Sequence, residues 1–449
     1  MSKKVVVSTI FAFFIIGGFV IYLLLPGRLF HGSAKGSSIT SSDQIFSLSE
    51  KDIDLSMAIL VLSSEAYKEI LNQDIDVQVY KEKINALAQK LEARIRFKKN
   101  PEEIIFKLNK LVFSEEKFEA NNTFIGSGDI LRQSLVSTLD TRQGNCLGMS
   151  LVYLNIGERV GFPLYGVMVP GHVFVRYESN GTMINIETTS QGATAKDNEF
   201  YLKNYGQPSD NSCYLKNMTK REVLGVFLAM LALDYRKARL FEKAEYYLKK
   251  SIEMNARFSE GFVNLGRLYF EEGRYDEAIG VYRDALMVDP DDFNAHFNLA
   301  NTLSQKKRYN EAIDEYARSV RCPLRRGSPD FADAYYNWAL VYSESNMPNQ
   351  EILQYKNALI INPSHYAANS NLSTVYIKMG MFSEARQYLE KAISINPGRA
   401  QDHYSLGVIY FNEYRTELAI KEFVEAQKLG YRLPLEVLQV MDSSRNPKI

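Results

Sequence analysis

Residues 142–151 read Arg142-Gln143-Gly144-Asn145-Cys146-Leu147-Gly148-Met149-Ser150-Leu151, and the fold of the first half turns on them. Leu147, Leu151 and Leu154 recur at helical spacing until Gly161, which predicts a helix with Cys146 in its first turn. Unpaired amide groups and the positive end of the helix dipole favour a thiolate there. Downstream, Leu164 to Val169 is a strand-like apolar run broken by Pro170-Gly171. His172 to Tyr177 then alternates, Ser179-Asn180-Gly181 is a hairpin signal, and Thr182 to Thr188 reads as the return strand. A two-residue Asn180-Gly181 turn pairs Ser179 with Thr182 and, counting outward, sets His172 opposite Thr189 and Phe174 opposite Glu187. His172 and Glu187 are then expected on one face as diagonal neighbours, about 7–8 Å apart. A one-residue change of loop length would reverse this parity.

Upstream, Ser47 to Arg96 has helical periodicity. Leu55, Ile59, Leu62 and Tyr67 mark one face, and Tyr80, Ile84, Leu87 and Leu91 mark that of a second helix. Asn100-Pro101-Glu102-Glu103 is a helix start, continued by Ile105, Leu108 and Val112. Gly126 to Gly128 mark a loop, and Ile130 to Leu139 return to helical spacing.

A Cys that opens a helix, followed by a His and an acid on adjacent strands, resembles the transglutaminase-like superfamily. The closer resemblance is to a bacterial branch with R-x-G, a helix ending in G-x-P-L, and V-x-x-P-G-H-x-x-V-R. These stand here as Arg142-Gln143-Gly144, Gly161-Phe162-Pro163-Leu164 and Val167 to Arg176, so the resemblance covers about residues 48–192. It implies an α+β transglutaminase-like domain, akin to papain-like cysteine proteases, placed at residues 45–220. It further implies Cys146 as nucleophile, His172 as its base and Glu187 as the group orienting the imidazole. The Cys146 amide, with Gln143 or Asn145, is the candidate oxyanion stabiliser. Glu187 stands where the superfamily more often has Asp, and many members of that branch lack the Cys. Cys213 and Cys322 have no comparable setting.

The second half is self-similar. Ala244, Ala278, Ala312, Glu351, Ala385 and Ala419 recur at intervals of 34, 34, 39, 34 and 34 residues. Ala232, Gly266, Ala300, Ala339, Ser373 and Gly407 follow the same intervals, with Leu or Trp one residue before and Tyr or Leu three residues after. Pro290, Pro363 and Pro397 close units. These residues resemble the tetratricopeptide repeat and imply an all-α solenoid of six repeats over 225–433, with a cap or tail over 434–449. The longer interval falls near Cys322 to Pro329, a lengthened loop. Such arrays hold peptides in a concave groove. The register lines it with Val263, Phe297, Tyr336, Ser370 and Tyr404 in one row, and Arg267, Asn301, Leu340, Thr374 and Val408 in another. One of these ten is basic, so the lining is aromatic and neutral, without the Lys/Arg clamp some members use. The alternative is that part of this surface packs on the preceding domain.

At the amino end, Val5 to Leu25 are 21 uncharged residues. That is about 31 Å of helix, enough for a hydrocarbon core of about 30 Å and longer than a signal peptide's apolar core of about 7–15 residues. The reading is a transmembrane anchor over residues 1–25 and a flexible Gly/Ser-rich linker over 26–44. Lys3 and Lys4 bias the amino terminus to the cytoplasm and the bulk to the extracytoplasmic side, periplasmic in a bacterium. With 53 basic and 53 acidic residues the net charge is zero, so nucleic acid is not an expected partner. Three cysteines and five histidines exclude a disulfide framework and show no zinc spacing. With no GxxxxGK[ST] or GxGxxG motif either, no metal and no cofactor are expected. The expected function is a membrane-anchored transglutaminase-like cysteine hydrolase or acyltransferase acting on an amide or ester bond of a protein or peptide held by the repeats. The alternative is a non-catalytic scaffold in a membrane complex.

Overall fold

Asp54 begins the first long helix, Leu55–Leu71, by accepting from the Met57 amide. Its residues 55–63 are buried on all sides, so this is a central helix and not a one-faced one. Arg159 holds Asp54 through two bonds of 3.1 and 3.2 Å. Burial resists ionisation of Asp54, but the Arg159 charge and the hydrogen bonds prevail, and its carboxyl lies below the usual range. The next helix, Val77–Ile95, buries Ile84, Leu87 and Leu91. Pro101–Asn109 starts as its sequence predicts, with Asn100 accepting from the Glu102 amide, and runs into a π-helical turn over Lys110–Glu115.

The computed structural model describes residues 39–96, 98–121, 131, 134–205, 212–322 and 330–445. The expected membrane span 5–25, most of its linker, the Gly126–Gly128 loop and most of the lengthened 322–329 loop lie outside the described residues. Among the described residues, no helix is long and apolar enough to cross a membrane. The linker assignment to residue 44 is corrected at its end. Ser42–Ser47 is helical because Ile45 is buried, Phe46 packs edge-on against Tyr246, and Asp43 accepts from the Tyr246 hydroxyl.

A five-stranded antiparallel sheet follows the Cys146–Val160 helix, in the order Ala193–Ala195, Thr182–Glu187, His172–Ser179, Leu164–Val169, Asn217–Met218. Ser179 pairs with Thr182 and Val175 with Ile186, the register read from the sequence. Asn180 and Gly181 both have positive φ, as a type I′ turn requires. Pro170-Gly171 forms a second tight turn, with Val169 paired to His172 and Gly171 at φ +71. The Cys146–Val160 helix lies across the two central strands. Ser150 Oγ fixes that packing, 3.4 Å from the Val173 carbonyl and 3.1 Å from the Thr188 hydroxyl.

From residue 220 the described chain is a run of six antiparallel helix pairs, Lys220–Lys237/Phe241–Met254 through Ala400–Asn412/Thr416–Lys428, followed by Leu435–Arg445. The small residues of the repeat permit the close crossings. A Cβ on Gly266 would come within 2.5 Å of the Tyr282 ring, which, like Leu248, Tyr316, Tyr355, Leu389 and Phe423 in equivalent places, is buried. Glu351 occupies the usual Ala position and is only 7 % exposed; burial pushes its carboxyl above the usual range. The first helix, Lys220–Lys237, opens on a Thr219/Glu222 capping box. It packs on both Leu55–Leu71 and Phe241–Met254. Tyr235 and Tyr247 donate to Glu69 and Glu65 of the Leu55–Leu71 helix at 2.8 and 3.2 Å.

Candidate active site

Asn145 is the cap of the helix that Cys146 opens, its Oδ1 accepting from the Gly148 amide at 2.9 Å. Cys146 is half-buried and near enough to His172 for its sulfur to act on the imidazole. His172 Nε2 lies 2.8 Å from Glu187 Oε2. The expected one-face placement of His172 and Glu187 therefore closes into direct contact. Burial disfavours a charged imidazole, but the Cys146 sulfur and the Glu187 carboxylate outweigh it and raise the His172 pKa to about 10. Glu187 is itself resisted by burial and held below the usual carboxylate range by His172 and Thr189. At neutral pH the imidazole carries its proton.

Several supporting residues were not apparent from the sequence. Glu187 Oε1 accepts from the Thr189 amide at 3.1 Å and its hydroxyl at 2.6 Å, while the Tyr201 hydroxyl donates to Oε2 at 3.3 Å. Tyr201 is stacked on Phe174, centroids 3.9 Å apart. The loop after Glu187 is fastened through Gly192, whose amide donates to the Glu187 carbonyl and whose own carbonyl accepts from Asn109 Nδ2 at 2.8 Å. Tyr153, on the Cys146 helix, donates to Asn109 Oδ1 at 2.8 Å. Helix and acid are thereby tied by a buried chain of hydrogen bonds. No local pattern announces these contacts; only the Thr at 189, two residues past the acid, was within view.

Arg176 of the PGHxxVR stretch is 3 % exposed and makes four hydrogen bonds. It donates to Asn185 Oδ1, Asn198 Oδ1, Asn217 Oδ1 and the Leu215 carbonyl at 2.7–3.3 Å. Its role is to join strands and loops behind the site. The two oxyanion candidates have their amide oxygens committed: Gln143 Oε1 accepts from Asn121 Nδ2 at 3.0 Å, and Asn145 Oδ1 caps the helix. Only an NH2 of either can face a reacting oxygen. Among the described residues, no group of three or more His, Cys, Asp or Glu is placed to hold a metal ion.

The groove residues divide. Val263 is 6 % exposed, which corrects its place in an open lining. The buried Tyr214 hydrogen-bonds Ser259, one turn before Val263, so packing on the first half takes up this end. Phe297 stacks on Phe293, Asn301 accepts from Tyr316 and Asn337, and Leu340 joins the core around Tyr355. Tyr404 stacks on Tyr431 at 4.5 Å. Tyr336 is half-buried against His365, and Ser370 donates to Asp402. Arg267 and Thr374 are exposed, and Val408 is half-buried.

Compared with known proteins, residues 78–229 match the family described as transglutaminase-like superfamily. Residues 229–286 and 366–399 match tetratricopeptide repeat families, and 266–307 a TPR repeat family. The chain carries a transglutaminase-like domain over residues 78–229, followed by tetratricopeptide repeats. Similar proteins include protein O-mannosyl-transferase TMTC3 of Homo sapiens, 28 % identical over 37 % of this chain and 18 % of that protein. The Hsp70-Hsp90 organising protein of Plasmodium falciparum is 24 % identical over 36 % of this chain and 28 % of its own. BBSome complex member BBS4 of Bos taurus is 23 % identical over 52 % of this chain and 44 % of its own length. The chain thus spans less than half the length of each of these relatives. Among solved structures, Pseudomonas aeruginosa pilF aligns with a TM-score of 0.43 at 20 % identity, covering 50 % of this chain and 99 % of that one. YrrB, a TPR protein with an unusual peptide-binding site, aligns with a TM-score of 0.37 at 21 % identity, covering 44 % and 98 %.

Proposed function

We propose that the transglutaminase-like domain is a cysteine hydrolase or acyltransferase, and that the tetratricopeptide repeats hold its protein or peptide substrate. One observation carries this reading: the helix-opening Cys146 acts on the imidazole of His172, which Glu187 fixes through Nε2 at 2.8 Å. The Cys146 sulfur, as thiolate, adds to the carbonyl carbon of an amide or ester. Amide groups at the helix start, with an NH2 of Gln143 or Asn145, face the developing oxyanion. The proton on His172 passes to the leaving nitrogen or oxygen as its bond to carbon breaks, leaving a thioester on Cys146. Water or an amine then adds to the thioester, gives its proton to His172 and releases the sulfur. Glu187 stabilises the imidazolium throughout. Residues 5–25 anchor this chain in a membrane, with the enzyme on the extracytoplasmic side.

A thiol-reactive activity probe applied to membranes tests this directly. Wild type labels at Cys146, the Cys146→Ala variant does not, and the buried Cys213 and Cys322, whose thiols burial pushes up to about 12, stay unlabelled at neutral pH. If Cys146 labels no faster than those two, the enzyme reading is wrong. The non-catalytic scaffold reading is then the better one, and an unchanged phenotype in a Cys146→Ala strain points the same way.

A further inference from the structure

The Pro170-Gly171 turn that delivers His172 is held from outside its own sheet. The Gly171 amide donates to Glu260 Oε1 at 3.2 Å, and Glu260 belongs to Ser259–Glu271, the first helix of the second repeat pair. Other residues border this bond. Pro170 faces a small cleft whose walls include Glu260, Tyr214, Cys322, the Asp289–Asp292 connection between repeat pairs and the start of the Phe293–Gln305 helix. Tyr214 hydrogen-bonds Ser259, and Ser259 in turn donates to Asp292 at 2.7 Å. Leu215, the next residue, sends its amide to the Met168 carbonyl and accepts from Arg176 through its own. The segment 212–215 thus fastens the strand leading into the turn on one side and the repeat helix on the other.

Gly171 sits at φ +71, a conformation that holds the turn tight but gives it no side chain to pack. His172 follows immediately and begins its strand. An acceptor on a repeat helix is therefore one outside restraint on the turn, one residue before the imidazole. Glu260 also lies one helical turn before Val263, on the face that the repeat register directs inward.

We infer that Glu260 is a positioning residue for His172, and that through it the orientation of the second repeat pair sets the angle at which the imidazole meets Cys146. This rests on the thiol-enzyme reading only for its consequence at Cys146; the positioning of His172 is separately measurable. A protein substrate that shifts the second repeat helix would, by the same bond, adjust the site that acts on it.

The test uses the full-length chain with 13C-labelled histidine. The protein has five histidines, and a His172→Gln variant assigns the resonance. In Glu260→Ala the titration midpoint of His172 is expected to fall by roughly one pH unit, and iodoacetamide labelling of Cys146 at neutral pH to slow on the order of ten-fold. Glu260→Gln, which keeps an acceptor oxygen, restores both, and all three proteins melt at the same temperature. An unchanged His172 titration in Glu260→Ala overturns the inference. So does a Glu260→Gln variant as defective as Glu260→Ala, since the effect would then lie in charge and not in the held turn. If His172 moves in Glu260→Ala while wild-type Cys146 labels no faster than an ordinary exposed thiol, the positioning stands and the enzyme reading falls.

Discussion

The two halves of this chain bury polar and apolar groups by opposite rules. In the transglutaminase-like half, the buried groups that tie strands and helices together take their partners from distant parts of the sequence. Arg176 gathers residues 185, 198, 215 and 217, and Tyr153 reaches Asn109. In the repeat half, one crossing of a small residue and a ring is used again and again, as at Gly266 with Tyr282, and each pair leans mainly on the next. The first half therefore fails as a unit when a single node is lost, while the second spreads damage over neighbours.

The largest effect that would break this contrast is expected at Arg176. Arg176→Leu leaves three Asn side chains and a carbonyl without their buried donor, at a cost of about 3–5 kcal/mol. Urea unfolding followed by circular dichroism should show the loss. The single tryptophan, Trp338, lies in the repeat half and provides a separate reading. Its fluorescence transition should move much less; an equal shift in both signals would show that the halves do not differ in this way.

Tyr282→Ala, in the repeats, is expected to cost about 2–4 kcal/mol by opening a cavity beside Gly266. Hydrogen exchange should show the loosening confined to the second and third helix pairs. Spread across the array, it would mean the repeats are as cooperative as the first half.

A third, smaller effect depends on pH. The His172 pKa is raised from an ordinary 6.5 to about 10, so its share of stability is full below about pH 6.5 and is lost as pH rises through about 10. Glu187 is depressed from 4.5, so its share is present above that value and is lost as pH falls. The difference in melting temperature between wild type and Glu187→Gln should be widest between about pH 4.5 and 6.5 and narrow on either side. A pH-independent difference would deny that the two are coupled.

The smallest effect is expected at the surface. Lys306→Ala removes an exposed pair with Asp276, worth on the order of 0–1 kcal/mol, and should leave the melting temperature of the repeats almost unchanged.

The repeats were legible because a 34-residue period is stated many times over, and the crossing of helices follows from small residues alone. Asn180-Gly181 fixed a register, and register fixed the shared face of His172 and Glu187. Cys146 at a helix start was equally local, since Asn145 is a strong cap. What stayed hidden has no local signature. Tyr201 reaches the acid, and Asn109 the loop after it, only after the chain has closed, and the edge strands Ala193–Ala195 and Asn217–Met218 are too short to leave a period. Val263 was misread because repeat register assigns a residue to the inward face but not to what covers it. Tyr214, outside the repeats, meets the same helix at Ser259.

The Lys220–Lys237 helix has a consequence for the order in which the protein is made. It closes over Leu55–Leu71 as a wall of the first half and is also the opening helix of the array. As the chain leaves the ribosome, everything up to the Asn217–Met218 strand can emerge while the surface of Leu55–Leu71 still waits for its cover. The first half then completes its core only when translation has passed residue 237, and by that point the array has already begun to grow from the same rod.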